Sequence, residues 1–226
     1  MSVELRLEDI DRDGALHEAL AGVVGETRAQ FLRRAVVGGA AAAATFAAPA
    51  GGRGLTSDVD VINFDLTFEL MQVSFYQEAL EMGKLGAEST HWARIIGAHE
   101  RAHVTIMKDY LGKRSVKKPF FDFQGVTERE KAFTRTAVAM EDLTTALLAG
   151  QMERLESPAL VSAFFSVITV EARHAAWVRH LQGVLPIAKA LDASKTIPAV
   201  AGVIKSTKFM KEDPVTWAQS KPRFTG

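Results

Sequence analysis

Two Glu-x-x-His pairs, Glu100 with His103 and Glu171 with His174, each follow another glutamate by about thirty residues, Glu69 in the first case and Glu141 in the second. Residues three apart on a helix share a face, so each pair can aim a carboxylate and an imidazole at one point. The chain has no cysteine, which excludes disulfides, thiolate metal sites and cysteine nucleophiles and leaves His and carboxylate as the only strong metal ligands. Oxygen-rich, hard ligands with two imidazoles suit Fe(II) or Mn(II), and the ligand set alone does not separate them. One Glu-x-x-His is a common surface pair. Two of them, each with a partner glutamate upstream on an apolar stripe, are hard to obtain as solvated charge.

Charge gives the physical reason to group the six. Each carboxylate placed in a dry helical interior costs several kcal/mol even after relaxation, and four at one level also repel one another. Two divalent cations neutralise four glutamates, and two neutral imidazoles add ligands without adding charge. Glu69, Glu100, His103, Glu141, Glu171 and His174 are therefore the candidate ligands, and the candidate reacting residues, of a two-metal site.

Four long helices must position them. Ser57 and Asp58 can cap a first helix to about Lys84, with Gly83 and Gly86 as stops. A second runs from about Ser89 to Leu111, ending at Gly112. Thr127 and Glu130 have capping-box spacing at the head of a third, which reaches about Arg154. Ser157 followed by Pro158 opens a fourth, which ends before Pro186. The inward stripes read Ile62, Leu66, Glu69, Val73, Tyr76, Leu80; then Ile96, Glu100, His103, Met107, Tyr110; then Ala137, Glu141, Thr144, Leu148; and Phe164, Val167, Glu171, His174, Val178, Leu181, Leu185. Every stripe has the roughly seven-residue period of bundle packing, and every one is interrupted by a glutamate.

The interruptions correspond. Glu69 to Glu100 is 31 residues and Glu141 to Glu171 is 30, so the first helix pair maps onto the second with an offset of 72 or 71, as a duplicated helix hairpin would. Short links near 85–88 and 155–157 make each pair antiparallel. The connection from Gly112 to Val126, 15 residues, is long enough at about 3.3 Å per residue to travel the length of a bundle.

These features resemble the ferritin-like superfamily, and specifically exported bacterial ferritin-like proteins related to plant desiccation-associated proteins. The likeness covers roughly residues 58–185 and is carried by Asp58-Val-Asp-Val-Ile-Asn-Phe, Glu69 with Phe75-Tyr76 after it, His99-Glu100-Arg-Ala-His103, and Glu171-Ala-Arg-His174. It implies an all-α fold, a ferritin-like four-helix bundle with one long crossover between helices 2 and 3. It also implies a paired metal site of two Fe ions, or Mn in their place, in which Glu69 and Glu141 are terminal ligands, His103 and His174 each bind one metal, and Glu100 and Glu171 bridge. The resemblance does not settle the reaction; the hard, oxygen-rich ligand set makes oxidation of Fe(II) by oxygen or peroxide the leading expectation. Manganese catalase is the competing enzyme, and Glu171 counts against it because that family uses one fewer carboxylate. A non-enzymatic stress- or desiccation-associated bundle held together by its metals is the reading from another class.

Other residues near the candidates have plainer roles. Tyr76 is expected to be a buried tyrosine with a satisfied hydroxyl rather than an oxidisable neighbour of the metals, Gln72 to support a ligand, Trp177 and Met107 to pack, and His91 and His99 to be exposed or capping residues rather than ligands. Acidic and basic residues number 27 each, so nucleic acid is not an expected partner. A homodimer is compatible with the sequence, and nothing in it demonstrates a cage.

Residues 1–50 contain no lysine and lead through Arg33-Arg34 into the 14-residue Ala/Gly-rich run Ala35 to Ala48. That run is too short for a membrane span but has signal-peptide length, and Ala48-Pro49-Ala50 supplies a cleavage pattern. Thr27-Arg-Ala-Gln-Phe-Leu-Arg33 resembles a twin-arginine export signal, with Ala29 in place of the second arginine. The expected organisation is a signal over 1–50, the bundle over 51–187, and an extension over 188–226 with a short helix near 199–205 and an extended tail. An exported, periplasmic or cell-envelope location follows, or a cytoplasmic one if 1–50 is not a signal.

Overall fold

Serine and proline chemistry sets the helix starts in the structure, a computed structural model that describes residues 57–187 and 189–220. Helix α1 spans Asp58–Met82, and the Ser57 hydroxyl accepts from the Asp60 N–H at 3.2 Å. It stops at Gly83, whose φ of 61° is the left-handed turn that a residue with a Cβ adopts at a cost. Helices α2, Ala87–Leu111, α3, Glu130–Gln151, and α4, Pro158–Leu181, complete the bundle. Ser157 caps α4 with Pro158 at its first position, as its sequence indicated. The signal expected over residues 1–50 lies outside the described residues.

The contacts at the helix ends define the topology. Asn63, near the start of α1, donates to the Arg114 carbonyl and accepts from the Val116 N–H, so α2 ends beside the start of α1. Asp58 accepts from the Glu156 N–H, which puts the link between α3 and α4 at that same end. Lys84 pairs with Glu128 and Thr127 donates to Glu78, so α3 begins at the opposite end. The segment between α2 and α3 therefore runs the length of the bundle. Two elements approach unusually closely at Gly97, where a Cβ would come 3.0 Å from the Tyr76 Cβ. Arg179 binds Asp142 through two hydrogen bonds, 2.9 and 2.6 Å, and ties α4 to α3.

Several local expectations are corrected. Thr127 and Glu130 do not form a capping box. Thr127 sits buried in a short 3-10 turn, Val126–Glu128, and Glu130 caps a different helix: it accepts from the Gly86 N–H at 2.7 Å and from Ser89 at the head of α2. Tyr110 is 42% exposed and Leu185 71% exposed, because the inward face of α2 passes from Met107 to Leu111 rather than to Tyr110, and α4 has ended at Leu181. Over its described residues the tail is not extended. After α5, Ile197–Thr207, Asp213 and Pro214 start a short α6, Pro214–Ala218. Trp217 donates to the Lys117 carbonyl, and Phe121 pairs with Met210 in an isolated β-bridge, so the tail packs on the crossover.

One aromatic cluster fills the core beside the polar residues. Phe133 stacks on Phe75 (4.9 Å between centroids) and on Trp92 (5.3 Å), and Tyr76 meets Trp92 edge-on at 6.0 Å. These rings fix the side chain of Tyr76 by packing.

Candidate metal centre

All six residues converge between the four long helices. Glu69 comes from α1, Glu100 and His103 from α2, Glu141 from α3, and Glu171 and His174 from α4, and every one is buried. They form two overlapping ligand groups: Glu69, Glu100, His103 and Glu171, and Glu100, Glu141, Glu171 and His174. In each, one ligand atom per residue lies within 4.8 Å of the others.

The two central carboxylates divide their oxygens between the groups. His103 Nδ1 lies 3.0 Å from Glu171 Oε1, 3.2 Å from Glu100 Oε2 and 3.7 Å from Glu69 Oε2. His174 Nδ1 lies 3.1 Å from Glu100 Oε1, 3.4 Å from Glu141 Oε2 and 3.6 Å from Glu171 Oε2. Both oxygens of Glu69 and of Glu171, one each of Glu100 and Glu141, and His174 Nδ1 have no aligned hydrogen-bond partner among the described residues. Buried polar atoms are almost always satisfied, so convergent orphans of this type fit cations held between them. The residues present therefore fit a metal site.

Without metal, protons take that place. Burial, reinforced by the charge of Glu100, raises Glu69 well above the usual carboxylate range, and burial raises Glu141 to about 8. Burial pulls both histidines down, but the surrounding carboxylates outweigh it and push His103 and His174 up to about 12. Burial alone would also raise Glu100, but the hydrogen bond with His103 and the close approach of His174 hold it down at about 2.

The surroundings support one end of the site. Tyr76, fully buried, donates its hydroxyl to Glu141 Oε1, and the Gln72 amide donates to the same oxygen at 3.2 Å. Thr144 donates to Gln72 Oε1 at 2.9 Å and fixes the amide's orientation. Glu141 thus presents Oε2 to the centre. Burial and the charge of Glu141 raise the Tyr76 phenol, so it stays a donor at neutral pH. Met107 is buried and Trp177 packs partly buried against the core, edge-on to His91.

Two residues escaped the sequence reading. Asp65 is 1% exposed, neither of its oxygens is hydrogen-bonded among the described residues, and burial raises its carboxyl well above the usual range. With Glu69, Gln72 and Tyr76 it completes a stripe at spacings of four, three and four, a signal the sequence did contain. His99 is exposed as expected, yet its Nδ1 lies 2.8 Å from His174 Nε2. Nothing in the spacing pointed to that contact. A cavity of about 520 Å³ lies apart from the six, lined by Asp142, Arg179, Leu191 and Lys195 among others, and none of the six lines it.

The family model for the ferritin-like domain matches residues 57–184. No curated protein matches the chain.

Proposed function

The chain belongs to the ferritin-like domain family, and from that footing we propose that it is a di-iron carboxylate protein that oxidises Fe(II) with oxygen or peroxide. Its ligands are Glu69, Glu100, His103, Glu141, Glu171 and His174. The observation that supports this most is the sharing of Glu100 and Glu171 between two ligand groups that are otherwise separate. Glu69 and His103 complete one position, and Glu141 and His174 the other.

A pair of bound Fe(II) ions supplies two electrons, one from each ion, which reduce peroxide to two waters with uptake of two protons, or oxygen to peroxide. The chain's own residues hold the two substrate ions adjacent and keep bulk water out. Four carboxylates balance two divalent charges, so loading leaves the buried site neutral. Tyr76 and Gln72 occupy Glu141 Oε1 and keep its other oxygen turned inward. The test is anaerobic protein loaded with two Fe(II) per chain and mixed with oxygen or peroxide. Oxidation faster than that of free Fe(II) in the same buffer is expected; an equal rate with two ions bound overturns the reading.

Export through residues 1–50 belongs to the same proposal, supported by the Ala/Gly-rich run and the Ala48-Pro49-Ala50 pattern. Mass spectrometry of the native protein is expected to find a start near Gly51. Full-length protein in a cytoplasmic fraction contradicts it.

A further inference from the structure

A neutral imidazole carries one N–H and one lone pair, and only the lone pair can bind a metal. In His174 the nitrogen that faces Glu100, Glu141 and Glu171 is Nδ1, so with a metal bound the lone pair must sit there and the N–H must sit on Nε2. His174 is only 3% exposed, and its Nε2 points at His99 Nδ1, 2.8 Å away, with the two ring planes 16° apart. For that contact to be a hydrogen bond, His99 must offer its own lone pair at Nδ1 and carry its N–H on Nε2.

Resting on the di-metal reading above, we propose that His99 is a positioning residue: it accepts the Nε2–H of His174 and thereby fixes the tautomer and ring orientation that turn His174 Nδ1 onto the metal position shared with Glu141. Partners of this kind fix ligand tautomers in metal sites generally, and losing one typically weakens metal binding by about 10- to 100-fold.

The device serves one metal position only. Among the described residues His103 Nε2 makes no such bond, the contacts of its ring being made through Nδ1. The duplication does not repeat it either, since the offset of 71 puts Val170 where His99 stands in the first half. Tyr76 adds to the asymmetry, because it too supports only the Glu141 end and its counterpart at the offset of 72 is Leu148. The Glu141/His174 position is therefore the more firmly organised of the two.

Three substitutions at this exposed residue separate positioning from bulk. His99→Phe keeps a ring against His174 but offers no acceptor and shields the N–H from water. His99→Ala lets water take the acceptor's place. His99→Asn puts an amide oxygen close to where Nδ1 stood. Full-length metal-free protein is titrated with Zn(II) against a competing chelator, and the imidazole nitrogens of His174 are followed by 15N NMR in the loaded state. The expected result is one Zn(II) bound about 10- to 100-fold more weakly in His99→Phe, the other within about threefold of wild type, an intermediate loss in His99→Ala, and recovery in His99→Asn. The His174 signals should report metal at Nδ1 and a proton at Nε2 in wild type. Two wild-type affinities in His99→Phe, or metal on Nε2 of His174, overturn the proposal while leaving the di-metal site standing. Uptake of fewer than two Zn(II) by wild type overturns the di-metal reading itself, and the proposal with it.

Discussion

Loading the metal-free protein with two divalent ions should expel about four protons at pH 7. The count follows from which groups hold a proton in the metal-free site: His103 and His174, both pushed up to about 12, Glu69, raised well above its ordinary range, and Glu141, raised to about 8. Glu100, held at about 2, contributes none. A group one unit above the ambient pH is about nine-tenths protonated, so Glu141 releases nearly a full proton at pH 7 and progressively less above pH 8. Four protons leave and two divalent charges enter, so the buried charge is conserved. Linkage then makes the product of the two binding constants rise by about four powers of ten per pH unit near neutrality, and less steeply above pH 8 as Glu141 gives up its proton. Anaerobic calorimetry with Zn(II) in two buffers of different ionisation enthalpy measures the release directly. A release of one proton or fewer would refute the argument, since Glu69, Glu141 and the two histidines could not then hold protons in the metal-free state.

Other outcomes follow from the same geometry. Because Glu69, Glu141 and both histidines bind protons more tightly folded than unfolded, their contribution is full at low pH and lost as pH rises through the folded values, so metal-free Tm should fall between pH 5 and pH 9. Thermal scans across that range check it, and Glu141→Gln should flatten the fall between about pH 5 and pH 8. Tyr76→Phe should leave the fold intact, because the ring still packs among Phe75, Trp92 and Phe133, while weakening one of the two metal positions by about tenfold in a chelator competition. Gly150→Ala should loosen residues 193–196, because its Cβ would lie 2.1 Å from the Lys195 carbonyl oxygen; faster limited proteolysis there with unchanged metal content is the expected pattern.

Much of this architecture is legible in the residues themselves. A glutamate in the middle of an apolar heptad stripe has few explanations, and the same interruption repeated in four helices at matching offsets leaves fewer. The long link from Gly112 likewise had to span the bundle. Periodicity does not say which of two neighbouring positions faces inward or where a helix stops, which is why Tyr110 and Leu185 fall on inward stripes yet lie outside. Nor does it show partners brought in from afar: Glu130 has ideal spacing to Thr127 but reaches Gly86 and Ser89, 44 and 41 residues away. His99 is the sharpest instance, since a helix neighbour of Glu100 looks like surface until the fold sets it against His174. Asp213-Pro214 carried the same helix-start chemistry as Ser157-Pro158, and only the brevity of the helix that follows hid it.

The central claim is that two metal ions share Glu100 and Glu171, and native mass spectrometry of Fe(II)-loaded wild type, Glu100→Ala and Glu171→Ala under anaerobic conditions tests it most directly. Two ions per chain in wild type, and loss of both together in each variant, is the expected result. Full two-ion occupancy in both glutamate variants contradicts it.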